Sequence, residues 1–527
     1  MRKKIILFGI DGGTWTLLDR YINSGYMPNL GYLVNHGMKG TLLSTFPRQT
    51  LPAWTSIFTG VNPGKHGLVG FPGHMEVNGK PSSITFRDNE TKSLWQILSE
   101  KGLRSIVVND PVSYVPEKIN GIMITGLLTL LESNYVYPPE LVKEIEKLVG
   151  NYIFELPLEF YSVLKTDKKK AYSMIDEFDE KLTTVSLAFA RNYEWDILAP
   201  IFTSTDRLQH FFWYDEEYMV QHYKKLDNRL KNFIDIAAEE EATVLVMSDH
   251  GFGPYDRAFF INTWLDKAGF QRRKINVPLY VLSRLGLTRR RLIRILNKLH
   301  LFNLVHDIAT NQVKSLENLA RFYDKQIDYE KSLVYAISNY GIYVNNKIKD
   351  GDRKQVIDSV IEGLYKVRDN DSQVIKNVSK REEVMWGSYV DRAPDLFVDT
   401  CEGYELLHHS SSNEFGEPTD LSKGLSVRTG SHRPEGIFLA YGSDIRSNSS
   451  LSQPAHTWDI TPTILHMLGL PVPPYVDGRV LTEIFMPGSE SAKRVIEVDR
   501  YKESSKVKER IRLLKSNKVA YNKSSQI

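Results

Sequence analysis

Short apolar runs punctuate the chain, and polar stretches with helical patterning separate them. The runs are KKIILFGID, SIVVND, DILAPIFTS, ATVLVMSDH and EGIFLAYG. Each is a brief block rich in branched residues, the mark of a strand buried on both faces, and the set reads as a parallel sheet. Helical patterns lie between them, as in SLWQILSEKG and the stretch 217–241. This alternation predicts a three-layer α/β/α sandwich with a mostly parallel central sheet. Three runs end in charged or polar residues: Asp11, then 203–206, then 248–250. Open α/β sheets bind ligands outside the carboxyl ends of their strands, so the candidate chemistry falls where this architecture would use it.

One stretch breaks the pattern. Residues 265–331 contain RLGLTRRRLIRILNKLHLFNLVHDI, a basic helical segment, read as an inserted helical cap on a domain built from 1–264 and 332–487. Such a segment is either a solvated helix face or a cap that gates the site or touches anionic lipid. Residues 488–527 are polar and rich in Lys and Ser, the composition of a loose tail.

Composition narrows the function classes. With 527 residues, 42% of them hydrophobic and 25% charged, the chain has enough apolar residues for a large core. Its formal charge of +3 gives no global argument for a nucleic-acid partner. The single cysteine, Cys401, rules out an internal disulfide and a cysteine-based zinc cluster, so any metal must use His and carboxylate ligands. The apolar run Ile5–Ile10 is too short for a signal peptide, and no run of about 18 apolar residues suggests a membrane span. A cytoplasmic location follows as the expectation, with oligomeric state left open.

Four separated clusters carry the chemistry. Asp11 ends the first strand, before two glycines that permit a tight turn. The segment TFPRQTLPAWTSIFTG places Thr50 where a helix begins, near backbone N–H groups that favour an anion. Thr55 and Ser56 are the alternatives for a nucleophile there. Asp206 and His210, spaced i and i+4, share a face if a helix starts at TSTDRLQH. Asp249 and His250 are adjacent, and converge only on a loop, where Gly251 and Gly253 are expected to supply freedom. A fifth segment adds His432 in GSHRPEGIFLAYG, with His456 as its competitor, while His66 reads as a loop hydrogen-bonder. Trp54, Phe211, Phe212 and Trp213 read as core or cap contacts at least as readily as pocket residues.

Taken in order, these segments resemble the alkaline phosphatase superfamily, and within it the type I phosphodiesterase/nucleotide pyrophosphatase family. The resemblance covers most of 4–262 and 330–480. It implies two divalent ions, zinc or manganese. Asp206, His210 and His432 would hold one; Asp11, Asp249, His250 and the Thr50 oxygen the other. It further implies hydrolysis of a phosphodiester or nucleotide pyrophosphate in a small phosphorylated substrate, through a phospho-threonine on Thr50. Ala53 departs from the pattern, since nucleotide pyrophosphatases often carry Asn there. Neither the Cys/Ser precursor nor the Arg of the sulfatase motif is present in TLPAW. A phosphomonoesterase, a phosphotransferase or cofactor-independent mutase, and a degenerate binding module are the competing readings. The mutase would need a second anion-binding pocket to hold the acceptor, for which the arginines at 289–291 are the candidates.

Overall fold

A computed structural model describes residues 3–70, 91–129, 134–157, 159–274, 327–411, 413–417 and 428–499. Most of the expected cap, including the arginines at 289–291, and the tail beyond 499 lie outside the described residues. The strands used below are β1 (Ile5–Ile10), β2 (Met38–Leu43), β3 (Ser105–Asp110), β4 (Gly121–Thr125), β5 (Val136–Tyr137), β6 (Ile197–Phe202), β7 (Thr243–Met247) and β8 (Gly251–Phe260). Later in the chain come β9 (Val334–Ser338), β10 (Gly341–Val344), β11 (Ile375–Lys380), β12 (Leu396–Thr400), β13 (Gly403–Leu407), β14 (Gly430–Arg433) and β15 (Glu435–Tyr441).

The central sheet runs in the order β2-β15-β7-β1-β6-β3-β4-β5, with two short strands beyond β2. β7, β1, β6, β3 and β4 are mutually parallel. Every residue of β1 is buried. Ile6, Phe8 and Ile10 join one apolar core while Ile5 and Leu7 join another on the opposite face. A strand with a core on each face needs no polar alternation, and that is why these runs are continuously apolar. Helices fill both outer layers: α1 (Thr50–Thr59) and α2 (Leu94–Glu100) on one face, α3 (Lys168–Asn192), α4 (Ser204–Phe212) and α5 (Glu216–Glu239) on the other.

One strand runs against expectation. EGIFLAYG forms β15, which pairs antiparallel with both β2 and β7. The chain leaves β7, continues as β8, and later returns along the same line, β14 antiparallel to β8 and β15 antiparallel to β7. An apolar run carries no sign of its direction, so only this return path fixes it. A separate four-stranded antiparallel sheet, β11-β12-β10-β9, has its own apolar core around Val334, Ala336, Ile342 and Leu396. It lies beside the carboxyl ends of the central strands through β12, whose Asp399 pairs with Arg48. No helix among the described residues is long and apolar enough to cross a membrane.

Candidate metal centre

Local sequence sets each part of the site. α1 turns Leu51, Trp54, Ile57 and Phe58 into the core, which leaves Thr50 as its first residue, 3% exposed. The Gln49 side chain does not cap this helix, so first-turn N–H groups remain for an anion. The turn after β1 depends on Gly12, at φ +72°, where a side chain would meet Phe252 and Gln209. α4 is fastened to that turn: the Thr205 hydroxyl donates to the Asp11 carbonyl at 2.5 Å and the Gln209 amide to the Gly12 carbonyl at 2.9 Å. Asp206 and His210 therefore face the end of β1. The two glycines after His250 act differently from expectation. Neither has a positive φ. A Cβ on Gly251 would stand 2.1 Å from the Glu435 carbonyl oxygen, and one on Gly253 would strike the Arg433 side chain at 2.9 Å. They permit close strand approach, not an unusual backbone turn.

The predicted residues gather into two trios, Asp206–His210–His432 and Asp11–Asp249–His250, each offering ligand atoms within 4.8 Å of one another. His432 Nε2 lies 3.0 Å from Asp206 Oδ1 and 3.1 Å from His210 Nε2. His250 Nε2 lies 3.2 Å from Asp249 Oδ2 and 3.5 Å from Asp11 Oδ1. The rings of His250 and His432 stack with centroids 3.8 Å apart, so the trios share a wall.

Each of the six side chains is anchored through one atom and keeps another for the centre. His210 Nδ1 bonds to the Gly430 carbonyl at 2.9 Å, His432 Nδ1 to the Arg48 carbonyl at 2.8 Å, and His250 Nδ1 to the Gly251 carbonyl at 3.1 Å. With Nδ1–H donating, Nε2 is left as the acceptor. Trp54 Nε1 donates to Asp11 Oδ2 at 3.2 Å, and the Gly12 N–H to Asp249 Oδ1 at 3.2 Å. The opposite atoms, Asp11 Oδ1, Asp249 Oδ2 and His250 Nε2, are buried without a hydrogen-bond partner. Three buried acceptors converging in this way is costly unless a cation joins them. Nitrogen and carboxylate donors of this kind fit a divalent ion of the zinc or manganese class.

Charge distinguishes the trios. Burial, followed by the Asp249 and Asp206 carboxylates, raises Asp11 well above the usual carboxylate range. Burial also pushes Asp249 up to about 7. For Asp206 burial acts in the same sense, yet His210, His432 and Arg207 together hold it well below that range. Burial pushes His210 down to about 4.

Positions outside the trios sort cleanly. Thr55 donates its hydroxyl to the Leu51 carbonyl and Ser56 bonds to His66 Nε2 at 3.0 Å, so both alternatives to Thr50 are engaged in the helix and its neighbour. His66 Nδ1 accepts from the Leu68 N–H at 3.1 Å, and burial pushes this ring down to about 3. His456 stands apart from both trios, stacked on Trp458 at 4.6 Å. Sequence reasoning missed Trp54 as the anchor of Asp11. Its place four residues after Thr50, one helical turn along the same face, was the available signal. Arg207 was missed too. A cavity of about 360 Å³ opens beside His210 and His432, walled by Phe46, Trp213, Phe252 and Phe397, with Arg48 and Arg433 on its rim.

A second group of buried polar atoms lies behind α4. Asp179, His222 and Arg229 are nearly or wholly buried. Asp179 Oδ2 stands 3.7 Å from both His222 Nε2 and Arg229 Nη1. Neither Asp179 oxygen nor either His222 nitrogen has a hydrogen-bond partner, nor do the Ser204, Tyr172 and Tyr223 hydroxyls.

Comparison with known proteins agrees with this architecture. Residues 5–423 match the family model described as type I phosphodiesterase / nucleotide pyrophosphatase. No curated protein matches the chain. Among solved structures, phosphonoacetate hydrolase from Sinorhizobium meliloti, in complex with phosphonoformate, is similar at 15% identity with a TM-score of 0.54. That match covers 89% of this chain and 95% of the other. Human ectonucleotide pyrophosphatase/phosphodiesterase 5 matches at 16% identity with a TM-score of 0.49, over 89% of this chain and 95% of that one. With the family model spanning most of its length, the chain belongs to the type I phosphodiesterase/nucleotide pyrophosphatase family, phosphoric ester hydrolases built on the alkaline phosphatase fold.

Proposed function

We propose that this protein hydrolyses a phosphodiester or nucleotide pyrophosphate bond with Thr50 as nucleophile and a divalent ion held by each trio. The observation that carries the reading is the anchoring pattern: six side chains, each fixed through one atom, with the other turned to a common centre. Arg48 and Trp54, on either side of Thr50, hold one member of each trio, so the helix bearing the nucleophile is indexed to both.

Asp206, His210 and His432 would hold one ion and Asp11, Asp249 and His250 the other, with the Thr50 oxygen added to the second set. Bound there, the ions supply charge neutralisation and lower the pKa of a coordinated hydroxyl. The chain's own residues do the rest. The start of α1 offers backbone N–H groups to a phosphate oxygen. Thr50, its hydroxyl proton given up to solvent, attacks phosphorus in line; the bond to the leaving oxygen breaks, the alkoxide or phosphate departs and takes up a proton from water, and a phospho-threonine forms. Water entering from the opposite side breaks the Thr50–phosphorus bond and regenerates the hydroxyl. The aromatic wall formed by Phe46, Trp213, Phe252 and Phe397 borders the group attached to the phosphate. Ala53 is buried inside α1 and brings no polar contact to a phosphate oxygen, so the preference between monoester and diester rests with the cavity.

The test is turnover of bis-p-nitrophenyl phosphate, p-nitrophenyl phosphate, a nucleotide pyrophosphate and a phosphonate, each with added zinc or manganese, alongside elemental analysis. Metal-dependent turnover with a diester or pyrophosphate preferred is the expected outcome. Folded protein that takes up neither ion and turns over none of the four would end the proposal.

A further inference from the structure

The three carboxylates of the two trios are not held alike. Asp11 is anchored by a neutral indole N–H and Asp249 by a backbone N–H. Asp206 alone among them is held by a cation: its Oδ2 accepts from Arg207 Nη1, while its Oδ1 points to His210 and His432. Arg207 is itself gripped from behind. Its Nε donates to Glu155 Oε1 at 3.2 Å and its Nη2 to Glu155 Oε2 at 2.7 Å. Glu155 Oε1 also accepts the Leu156 N–H at 2.8 Å, which fixes the carboxylate on the loop before the helix Glu159–Thr166.

Two physical consequences follow. A planar guanidinium with one edge locked on Glu155 has little freedom in its remaining donor, so Asp206 cannot rotate to offer both oxygens inward. The charge balance also differs between the trios. Asp206, Arg207 and Glu155 together carry one negative charge, whereas Asp11 and Asp249 bring two carboxylates with no Lys or Arg ion pair among the described residues, Arg207 acting on Asp11 only from a distance. The Asp206 trio thus relies on orientation, and the Asp11 trio on charge.

We propose that Arg207, clamped by Glu155, is a positioning residue that fixes Asp206 as a one-oxygen ligand and sets the affinity of the ion held with His210 and His432. This inference rests on the two-metal reading above. It is tested by calorimetric titration of metal-free protein with zinc, comparing wild type with Arg207→Leu, Arg207→Lys and Glu155→Gln, and with the melting temperature of each metal-free form as a folding control. Wild type should take up two ions. In Arg207→Leu one of the two should bind about 10- to 100-fold more weakly and the other unchanged. Arg207→Lys should recover part of the loss, and Glu155→Gln should weaken the same ion by a smaller factor. Two unchanged affinities in Arg207→Leu would overturn the inference while leaving the two-metal reading intact. If Arg207→Leu does not fold, unchanged affinities in both Arg207→Lys and Glu155→Gln overturn it equally. A wild type that takes up no zinc defeats the two-metal reading, and this inference with it.

Discussion

Helix α4 (Ser204–Phe212) lies between two groups of buried polar side chains, and the groups differ. Toward the cavity, Asp206 and His210 join residues in which one atom is anchored and another left over. Behind the helix no atom of the Asp179 carboxylate or the His222 ring is in a well-formed hydrogen bond, and only weak interactions with Ser204 and Arg229 act on Asp179. Donors and acceptors of both charges mingle there at 3.7 Å. Orphaned polar atoms alone therefore do not announce a ligand site. Selective anchoring is the further feature that the proposed ion sites require, because it orients a lone pair in advance. The group behind α4 has the character of an amphoteric cluster, costly to bury and sensitive to protonation.

The sharpest test of this contrast is Thr50→Ala. It should lower turnover of bis-p-nitrophenyl phosphate by at least ~10³-fold while leaving metal content unchanged by elemental analysis. Retention of near-wild-type turnover would remove Thr50 from the chemistry.

Chelation should separate the two sides next. A ligand present at 100 times its Kd stabilises by about 2.7 kcal/mol per site, so stripping the ions should lower the Tm measurably. Asp249→Ala should abolish much of that chelator-dependent shift, whereas Asp179→Asn should show the same shift as wild type. A chelator response lost in Asp179→Asn would erase the distinction.

Protonation probes the rear group. Burial pushes Asp179 up to about 7 from the ordinary value of 3.8, the nearby Arg229 and Ser204 offsetting only part of it. The folded state therefore binds more protons than the unfolded state between those two values. The stability this contributes is fully present below about pH 4 and is lost as pH rises through about 7, on the order of a few kcal/mol. Urea midpoints from pH 4 to 8 should fall less steeply for Asp179→Asn than for wild type, because the amide does not titrate. Parallel curves would show that Asp179 ionises freely.

The smallest effect belongs to His456→Ala. Its ring stacks on Trp458 outside both trios, so the loss should stay near 1 kcal/mol, with metal content unaltered. Loss of an ion in this variant, and not in His432→Ala, would reassign the first trio.

What the sequence made legible follows the range of the physics involved. Strand-end Asp11 and the loop pair Asp249–His250 were readable because their position depends on local strand and turn patterns. Asp206 and His210 were readable because helical spacing alone puts them on one face. The direction of β15 was not, since a uniformly apolar run is silent about which way the chain enters the sheet. Nor were the grips of Glu155 on Arg207 and of Trp54 on Asp11, which join residues 52 and 43 positions apart and exist only through packing. The separate sheet β11-β12-β10-β9 was hidden for a related reason: IKNVSK in β11 is partly exposed and lacks the continuous apolar run that marked the central strands.

The donors also have an order of appearance. Asp11 is made early and His432 more than four hundred residues later, on β14, which pairs with β8. At ordinary translation speeds that separation is roughly 20 to 80 seconds. A ribosome-bound chain lacking β14 has an incomplete first trio, so under the two-metal reading that ion site is completed only after His432 has been made.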